Sequence, residues 1–470
     1  MQVIVLGAGL AGLAAAVRAA REGADVVVLE SEAQVGGMVR SEQVGPWHLD
    51  HGPHRFWSRD PHVLALTREM MGEDVVESER RSQILLLGQR FAYPLQPLDV
   101  ARKLPAGVLV RGLRDWARER VHERLQPSKD IDFEAWTVKR FGRTLYDVFF
   151  GPYTEKAWGA PCNTISADWA AQRISQSGLF DAVKSMLVPS LGAHQRSLAA
   201  RFLYPKSGGI GSLAQGFARH LHQLGGRIEL HTTVERVETR AGRVSAVSGC
   251  GPAGFFRHEC DAVISTIPLP RLAQAVDPAL GATARTAAEG LRHRAVRFAH
   301  VEVARPQVSP NHWIYLPERE LEVHRVTEFK NFSAHGLPGD RTALCAEITC
   351  AQGDELWNLN DAHLHARVER DLVRTGLVQP GETSLLASSR LAHAYPFYDL
   401  GYKARVETTL KALKALTNLR STGRQGLHRY NNMDHSIAMG WHAAKGLARL
   451  SAPAPVAQHE RVGTEQVWFG

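Results

Sequence analysis

The chain has 470 residues, 44% of them apolar and 22% charged, the balance of a soluble globular protein with room for two or three domains. Its net charge of +8 comes without any block of like charges, which argues against nucleic acid and leaves an anionic membrane surface or an anionic small ligand as partners. Five cysteines, an odd set with no C-x-x-C pair, speak against a disulfide framework and a zinc site, and for a reducing compartment.

In chain order, residues 2–7 ("QVIVLG") read as a buried parallel strand, "LAGLAAAVRAAREG" as a helix closed by Gly23, and "DVVVLE" as a second strand. The apolar opening lacks a basic n-region, so it does not read as a signal peptide, and no span reaches the ~20 uninterrupted apolar residues of a membrane helix. A cytoplasmic protein without stable membrane insertion is the expectation. The turn between strand and helix is Gly7-x-Gly9-x-x-Gly12, and Glu30 ends the second strand 18 residues after the last of these glycines. Such glycines let the backbone approach a pyrophosphate at the positive end of a helix, while the carboxylate of Glu30 accepts from a ribose hydroxyl. The pattern predicts a dinucleotide site.

The following "VGGMVRS" supplies Gly36, Gly37 and Arg40. The glycine pair resembles the second fingerprint of FAD enzymes in the glutathione-reductase superfamily. "DAVISTIP" is similar to the returning strand of an interrupted FAD domain, and "STGRQGLHRYNNMDHSIAMG" to its closing strand, turn and helix. This resemblance implies non-covalent FAD and an α/β chain: an interrupted Rossmann-type FAD-binding domain in three segments, 1–94, 201–270 and 416–450. Residues 95–200 are rich in Arg, Leu and Ala at helical spacing and predict a helical insertion. Residues 271–415 begin with a helical stretch and continue in alternating segments ("RFAHVEVA", "HWIYLP", "VHRVTEF", "TALCAEITC") that predict an antiparallel β-sheet substrate domain. The remainder, 451–470, is expected to be a loosely ordered tail.

Within the insertion, "YTEKAWG" (Tyr153 to Gly159) crowds two aromatic rings, a carboxylate and an ammonium into seven residues, more polar chemistry than a structural helix needs. The longer stretch "FEAWTVKRFGRTLYDVFFGPYTEKAWGAPC" with "ISADWAAQRI" resembles the substrate-domain signature of the UDP-galactopyranose mutases, and "DHGPHRFWS", "YPKSGGIGSL", "HWIYLP", "HRVTEFKNFS", "AYPFYDLGY" and "GRQGLHRYNNMDHS" are similar to further motifs of that family in the same order. Trp57 stands where bacterial mutases carry a histidine. The resemblance implies a redox-neutral flavoenzyme that interconverts pyranose and furanose forms of a nucleotide-diphosphate sugar, with N5 of reduced FAD as nucleophile toward the anomeric carbon. A reductant such as NAD(P)H or a flavin reductase system is the implied partner besides the nucleotide-sugar substrate.

Residue by residue, the same resemblance assigns Arg173 and Arg325 to a clamp on the substrate diphosphate, a role that suits the planar guanidinium fork. Arg325→Ala is then expected to leave folding intact. It assigns Tyr395 and Tyr430 to the same phosphates, and Tyr153, Trp158 and Tyr315 to the walls of the sugar pocket. On the cofactor side it places His54, as a proton carrier or merely a loop anchor, Arg424, and Asp434 at the start of a helix whose positive end faces the flavin. Glu155 and Lys156 read equally as pocket groups or as a solvated, mutually paired face. The rival reading is an FAD-dependent oxidoreductase of the protoporphyrinogen oxidase or amine oxidase kind, whose FAD segments are similar but which has no need of a phosphate clamp. No metal site is read from the sequence.

Overall fold

Gln2–Leu6 and Asp25–Leu29 lie side by side in register, Val3 against Val26 and Val5 against Val28, at the centre of a parallel sheet. Both are β-branched runs buried on two faces, which is what a parallel strand under helices on either side requires. The sheet order is Leu419–Ser421, Ala262–Ser265, Gln2–Leu6, Asp25–Leu29, Arg227–Glu229, so three distant stretches of chain build one dinucleotide-type sheet. The computed structural model describes residues 1–93, 96–126, 129–173 and 201–447. The expected tail, 451–470, lies outside the described residues, as does the side chain of Arg173.

Helix Leu10–Arg21 is alanine-rich and buries ten of its twelve residues. Its neighbours on the same face of the sheet are Gly211–Gln223 and Met433–Ala444, and their apolar sides meet in one core. Close approach explains Gly12: a Cβ there would sit 1.9 Å from the carbonyl oxygen of Gly7, so the helix can leave the strand tightly only without a side chain.

A seven-stranded sheet faces the dinucleotide sheet across a cleft. Its order is Thr383–Pro396, His293–Val303, Thr342–Cys350, Arg325–Glu328, Trp313–Tyr315, Ser82–Leu86, Gln89–Ala92. The four alternating segments are all present as strands. The sheet differs from the expectation in two ways. The hairpin Ser82–Leu86/Gln89–Ala92 comes from the stretch read as the first FAD segment, and it pairs parallel with Trp313–Tyr315, so the sheet is mixed. The stretch read as the second FAD segment also carries most of a separate four-stranded sheet built on Thr233–Arg240, Arg243–Gly251 and Gly254–Glu259.

Between Pro97 and Arg173 the described residues form helices, Ala106–Leu125 being the longest. "YTEKAWG" is the end of helix Gly151–Trp158, which follows a π-helical turn, Tyr146–Phe150, and stops at Gly159 in the left-handed region. No helix among the described residues is long and apolar enough to cross a membrane.

Candidate active site

A cleft of about 580 Å³ runs from the glycine turn to the edge of the seven-stranded sheet. At one end the backbone is drawn into a cradle. The N–H of Ala8 donates to Oε2 of Glu30 at 2.7 Å, and the N–H of Gly36 donates to the carbonyl of Ala8 at 2.8 Å, so the first turn, the acid and the glycine pair are one hydrogen-bonded unit. A Cβ added at Gly9 would meet nothing within 4 Å, because that position opens into the cleft. Arg40 pairs with Glu32 at 2.5 Å through Nη1, while its Nε is buried beside the cleft with no hydrogen-bond partner. Helices Leu10–Arg21 and Met433–Ala444 both bring their N-termini to the cleft. Two helix N-termini, an orphaned guanidinium N–H and an open glycine backbone fit the phosphates of a flavin dinucleotide. Glu30 faces the cleft as well, with its carboxylate already accepting from Ala8 and Glu32.

The opposite wall carries Arg325, Tyr395, Tyr430 and Arg424. Tyr395 and Tyr430 stack with centroids 5.9 Å apart, and the guanidinium of Arg424 lies 5.3 and 4.1 Å from their ring centres while donating to the carbonyls of Asn431 and Ala394. Burial pushes the Tyr395 phenol up to about 12 against the pull of Arg325, so it keeps its proton and acts as a donor. Arg325 is held by Glu347. Burial disfavours its charge, but that carboxylate outweighs burial and keeps the guanidinium well above its ordinary range. His54 lies in the same wall, and burial, with Arg325, His51 and Arg424 adding to it, drives its pKa down to about 3, leaving a neutral imidazole.

Residues 10–427 match the family profile described as flavin containing amine oxidoreductase. The chain belongs to that family. Among curated proteins it is 26% identical over 300 residues to AofH of Mycobacterium tuberculosis, named as a flavin-containing monoamine oxidase, and 26% identical over 290 residues to a coproporphyrinogen III oxidase of Mycobacterium bovis. These alignments cover 60% and 58% of this chain and about 60% of the length of each relative. Among solved structures, a reduced UDP-galactopyranose mutase superposes with a TM-score of 0.82 at 22% identity, covering 100% of this chain and 98% of its own. A structure from Exiguobacterium named for protoporphyrinogen oxidase superposes at 0.69 with 19% identity, covering 94% of this chain and 97% of its own. These likenesses show the flavin amine oxidoreductase fold, and the curated relatives are named as oxidases.

In this chain the expected site residues separate into two groups. Gly7, Gly9, Glu30, Gly36, Gly37, Arg40, His54, Arg325, Tyr395, Arg424 and Tyr430 all border the cleft. Gly12 lies behind it, and Asp434 lies in the first turn of the helix whose cap, Asn432, borders it. Burial pushes the Asp434 carboxyl up. Tyr153, Trp158 and Tyr315 are not on the described lining. Trp158 is buried behind the wall, its ring 6.0 Å from that of Tyr395 and 4.6 Å from Trp169, and Tyr153 packs edge-on against Tyr315 at 5.7 Å. They set the wall's position from behind. Glu155 and Lys156 do not pair with each other: Glu155 takes Arg319, and Lys156 donates to the carbonyl of Leu316 at 2.6 Å, with burial bringing its pKa down to about 8. Both latch the helix to the connection between Trp313–Tyr315 and Arg325–Glu328.

Arg55 and Glu347 are on the lining but were not read from the sequence as site residues. A signal existed for Glu347: it is the one charged residue in "TALCAEITC", a strand buried along its whole length. Arg55 stands inside "DHGPHRFWS" between His54 and Trp57.

Proposed function

We propose that the chain is an FAD-dependent mutase that interconverts pyranose and furanose forms of a nucleotide-diphosphate sugar. The observation that supports this reading is the shared wall formed by Arg325, Tyr395, Arg424 and Tyr430, opposite a dinucleotide cradle in the same cleft. Phenolic and guanidinium donors gathered there match the oxygens of a diphosphate, which is both the substrate's handle and its leaving group. When bound, reduced FAD supplies the nucleophile for the anomeric carbon. The chain's part is to bind and orient. Tyr395 and Tyr430 donate O–H groups to phosphate oxygens, Arg325 offers Nη1 beyond the two nitrogens that Glu347 occupies, and Arg173, at the end of helix Ala167–Arg173, is the second arginine this reading assigns. The N-terminus of Met433–Ala444 adds positive potential where negative charge collects on a reduced cofactor. An electron donor, NAD(P)H or a flavin reductase system, keeps the cofactor reduced.

A second reading, an FAD-dependent oxidoreductase, is favoured by the oxidase names of the curated relatives and by the pairing of Arg325 with Glu347, which neutralises one arm of the clamp. The two separate in one experiment. Dithionite-reduced protein incubated with a panel of nucleotide sugars should yield the ring-contracted isomer by chromatography, and oxidised protein should not. Peroxide release from oxidised protein with a porphyrinogen or amine, and no isomerisation by reduced protein, would replace the mutase with the oxidase.

A further inference from the structure

The cleft is lined by three carboxylates, and each is engaged. Glu30 accepts from the N–H groups of Ala8 and Glu32, Glu32 pairs with Arg40, and Glu347 is filled on both oxygens by Arg325. Arg55 lines the same cleft without a counterpart. Its Nε and Nη1 are buried and have no hydrogen-bond partner, and no carboxylate among the described residues lies within 4.0 Å of it. The guanidinium is steadied by aromatic faces only, 5.8 Å from the ring centres of both Phe202 and Trp313. Burial, with the like charge of Arg80 adding to it, pulls its pKa down to about 10, and it remains a cation at neutral pH. Tyr315, Tyr93 and Asp434 offset that only in part.

An uncompensated guanidinium is expensive to bury, and two N–H groups without acceptors make it more so. Arg325, in the same cleft, carries a carboxylate. A cleft lined by a buried guanidinium that lacks an acceptor is complementary to a ligand that brings the anion with it. We propose that Arg55 is the anchor for an oxyanion, a carboxylate or a phosphate, carried by the small-molecule substrate of this cleft. The inference rests on the reading of the cleft as a flavin and substrate site. It narrows the substrate to an anionic class and sets aside a simple amine, whose ammonium would meet a positive charge at Arg55. A nucleotide diphosphate and a carboxylate-bearing sugar or tetrapyrrole all satisfy it.

The test is calorimetric titration of the flavin-loaded wild type, Arg55→Gln and Arg55→Lys with UDP, glucuronate and benzylamine, beside flavin content and melting temperature. Expected is binding of UDP or glucuronate by wild type and not of benzylamine, an affinity roughly tenfold or more lower in Arg55→Gln, and partial recovery in Arg55→Lys with full flavin content in each. UDP alone binding names phosphate as the source, and glucuronate alone names carboxylate. The ligand-free Arg55→Gln protein should melt no lower than wild type, since it loses an unpaired buried charge. Equal anion affinity in wild type and Arg55→Gln, no anion binding by wild type, benzylamine binding unopposed by Arg55, or flavin loss in Arg55→Gln with anion affinity unchanged would each overturn the proposal. Wild type purified without flavin would instead strike the cofactor reading, and the anion titration, which reads heat and not flavin colour, would still decide Arg55.

Discussion

Arg325 and Glu347 face each other directly across two antiparallel strands and meet fork to fork, Nε to Oε1 and Nη2 to Oε2, both at 2.6 Å. The glutamate side chain is 1% exposed and the arginine 15%, so each is the other's only cheap route into the interior. Arg325→Ala is therefore expected to cost stability, where the sequence alone led to the expectation of intact folding. Either Arg325→Ala or Glu347→Ala should cost about 3–5 kcal/mol by leaving one buried charge bare, whereas Arg325→Met combined with Glu347→Leu should cost much less than the sum. Urea denaturation of the four proteins measures the coupling. Additive losses would mean that the pair contributes nothing as a pair.

Gly9 faces the cleft with open space where a side chain would go. Gly9→Asp should leave the melting temperature of the flavin-free protein within a degree or two of wild type while abolishing flavin retention, because its carboxylate would occupy the place of a phosphate at a helix N-terminus. Visible absorbance after purification gives the answer. A yellow Gly9→Asp protein would remove the turn from the cofactor site.

The glycine turn could be read from sequence because its meaning is local: strand, turn and helix lie within thirty residues, and the glycines are set by backbone geometry. The Arg325–Glu347 pair could not, since it depends on the register of two strands joined by a long loop. Thr383–Pro396 escaped for a different reason. It is half-buried along most of its length, so its polar and apolar residues do not alternate cleanly. The hairpin at Ala241-Gly242 has positive φ at both turn residues, a type I′ geometry, yet alanine at the first position hides it from a search for Asn-Gly or Asp-Gly. Within the wall, Tyr395 and Tyr430 were found only through resemblance, because a tyrosine in a strand and one in a loop carry no spacing signal of their own.

His300, His312 and His428 are almost fully buried, and burial lowers each to about 4; His54 and His293 are lowered further, to about 3 and about 2. At His312 the N–H of Arg81 lies 3.0 Å from Nδ1, closer than the Arg81 carbonyl at 3.3 Å, a contact that suits an unprotonated Nδ1. The folded pKa values lie below the unfolded value near 6.5, so the unfolded chain takes up protons that the folded one refuses. Their effect is absent above pH ~6.5, and stability falls as pH drops from there toward 4, by up to about 1.4 kcal/mol per pH unit for each of the three buried rings. Asp50, raised to about 7 by burial, runs the other way, favouring the folded state as pH falls through that range. Burial raises Asp434 and Glu328 in the same sense; with the more numerous histidines against these three carboxyls, urea midpoints should fall between pH 6.5 and 5. His300→Asn and His428→Asn should each flatten that slope, and a slope unchanged in both would refute this assignment.

Gly440 lies where helix Met433–Ala444 crosses Leu10–Arg21, and a Cβ there would come 1.9 Å from the carbonyl oxygen of Ala11. The contact is backbone, so no side chain can turn aside, and the helices would have to separate. Alanine gains about 1 kcal/mol over glycine in helix propensity, but overpacking at such a site costs about 1–3 kcal/mol, and the crossing also fixes two helix N-termini at the cleft. Gly440→Ala should therefore lower stability and weaken flavin retention together. Gly281→Ala is the control: its Cβ would meet nothing within 4 Å, and its effect should stay within about 0.5 kcal/mol. Urea denaturation and flavin release by ultrafiltration measure the two effects. Lost stability with unchanged flavin affinity would show that the cradle tolerates a shift of its second helix.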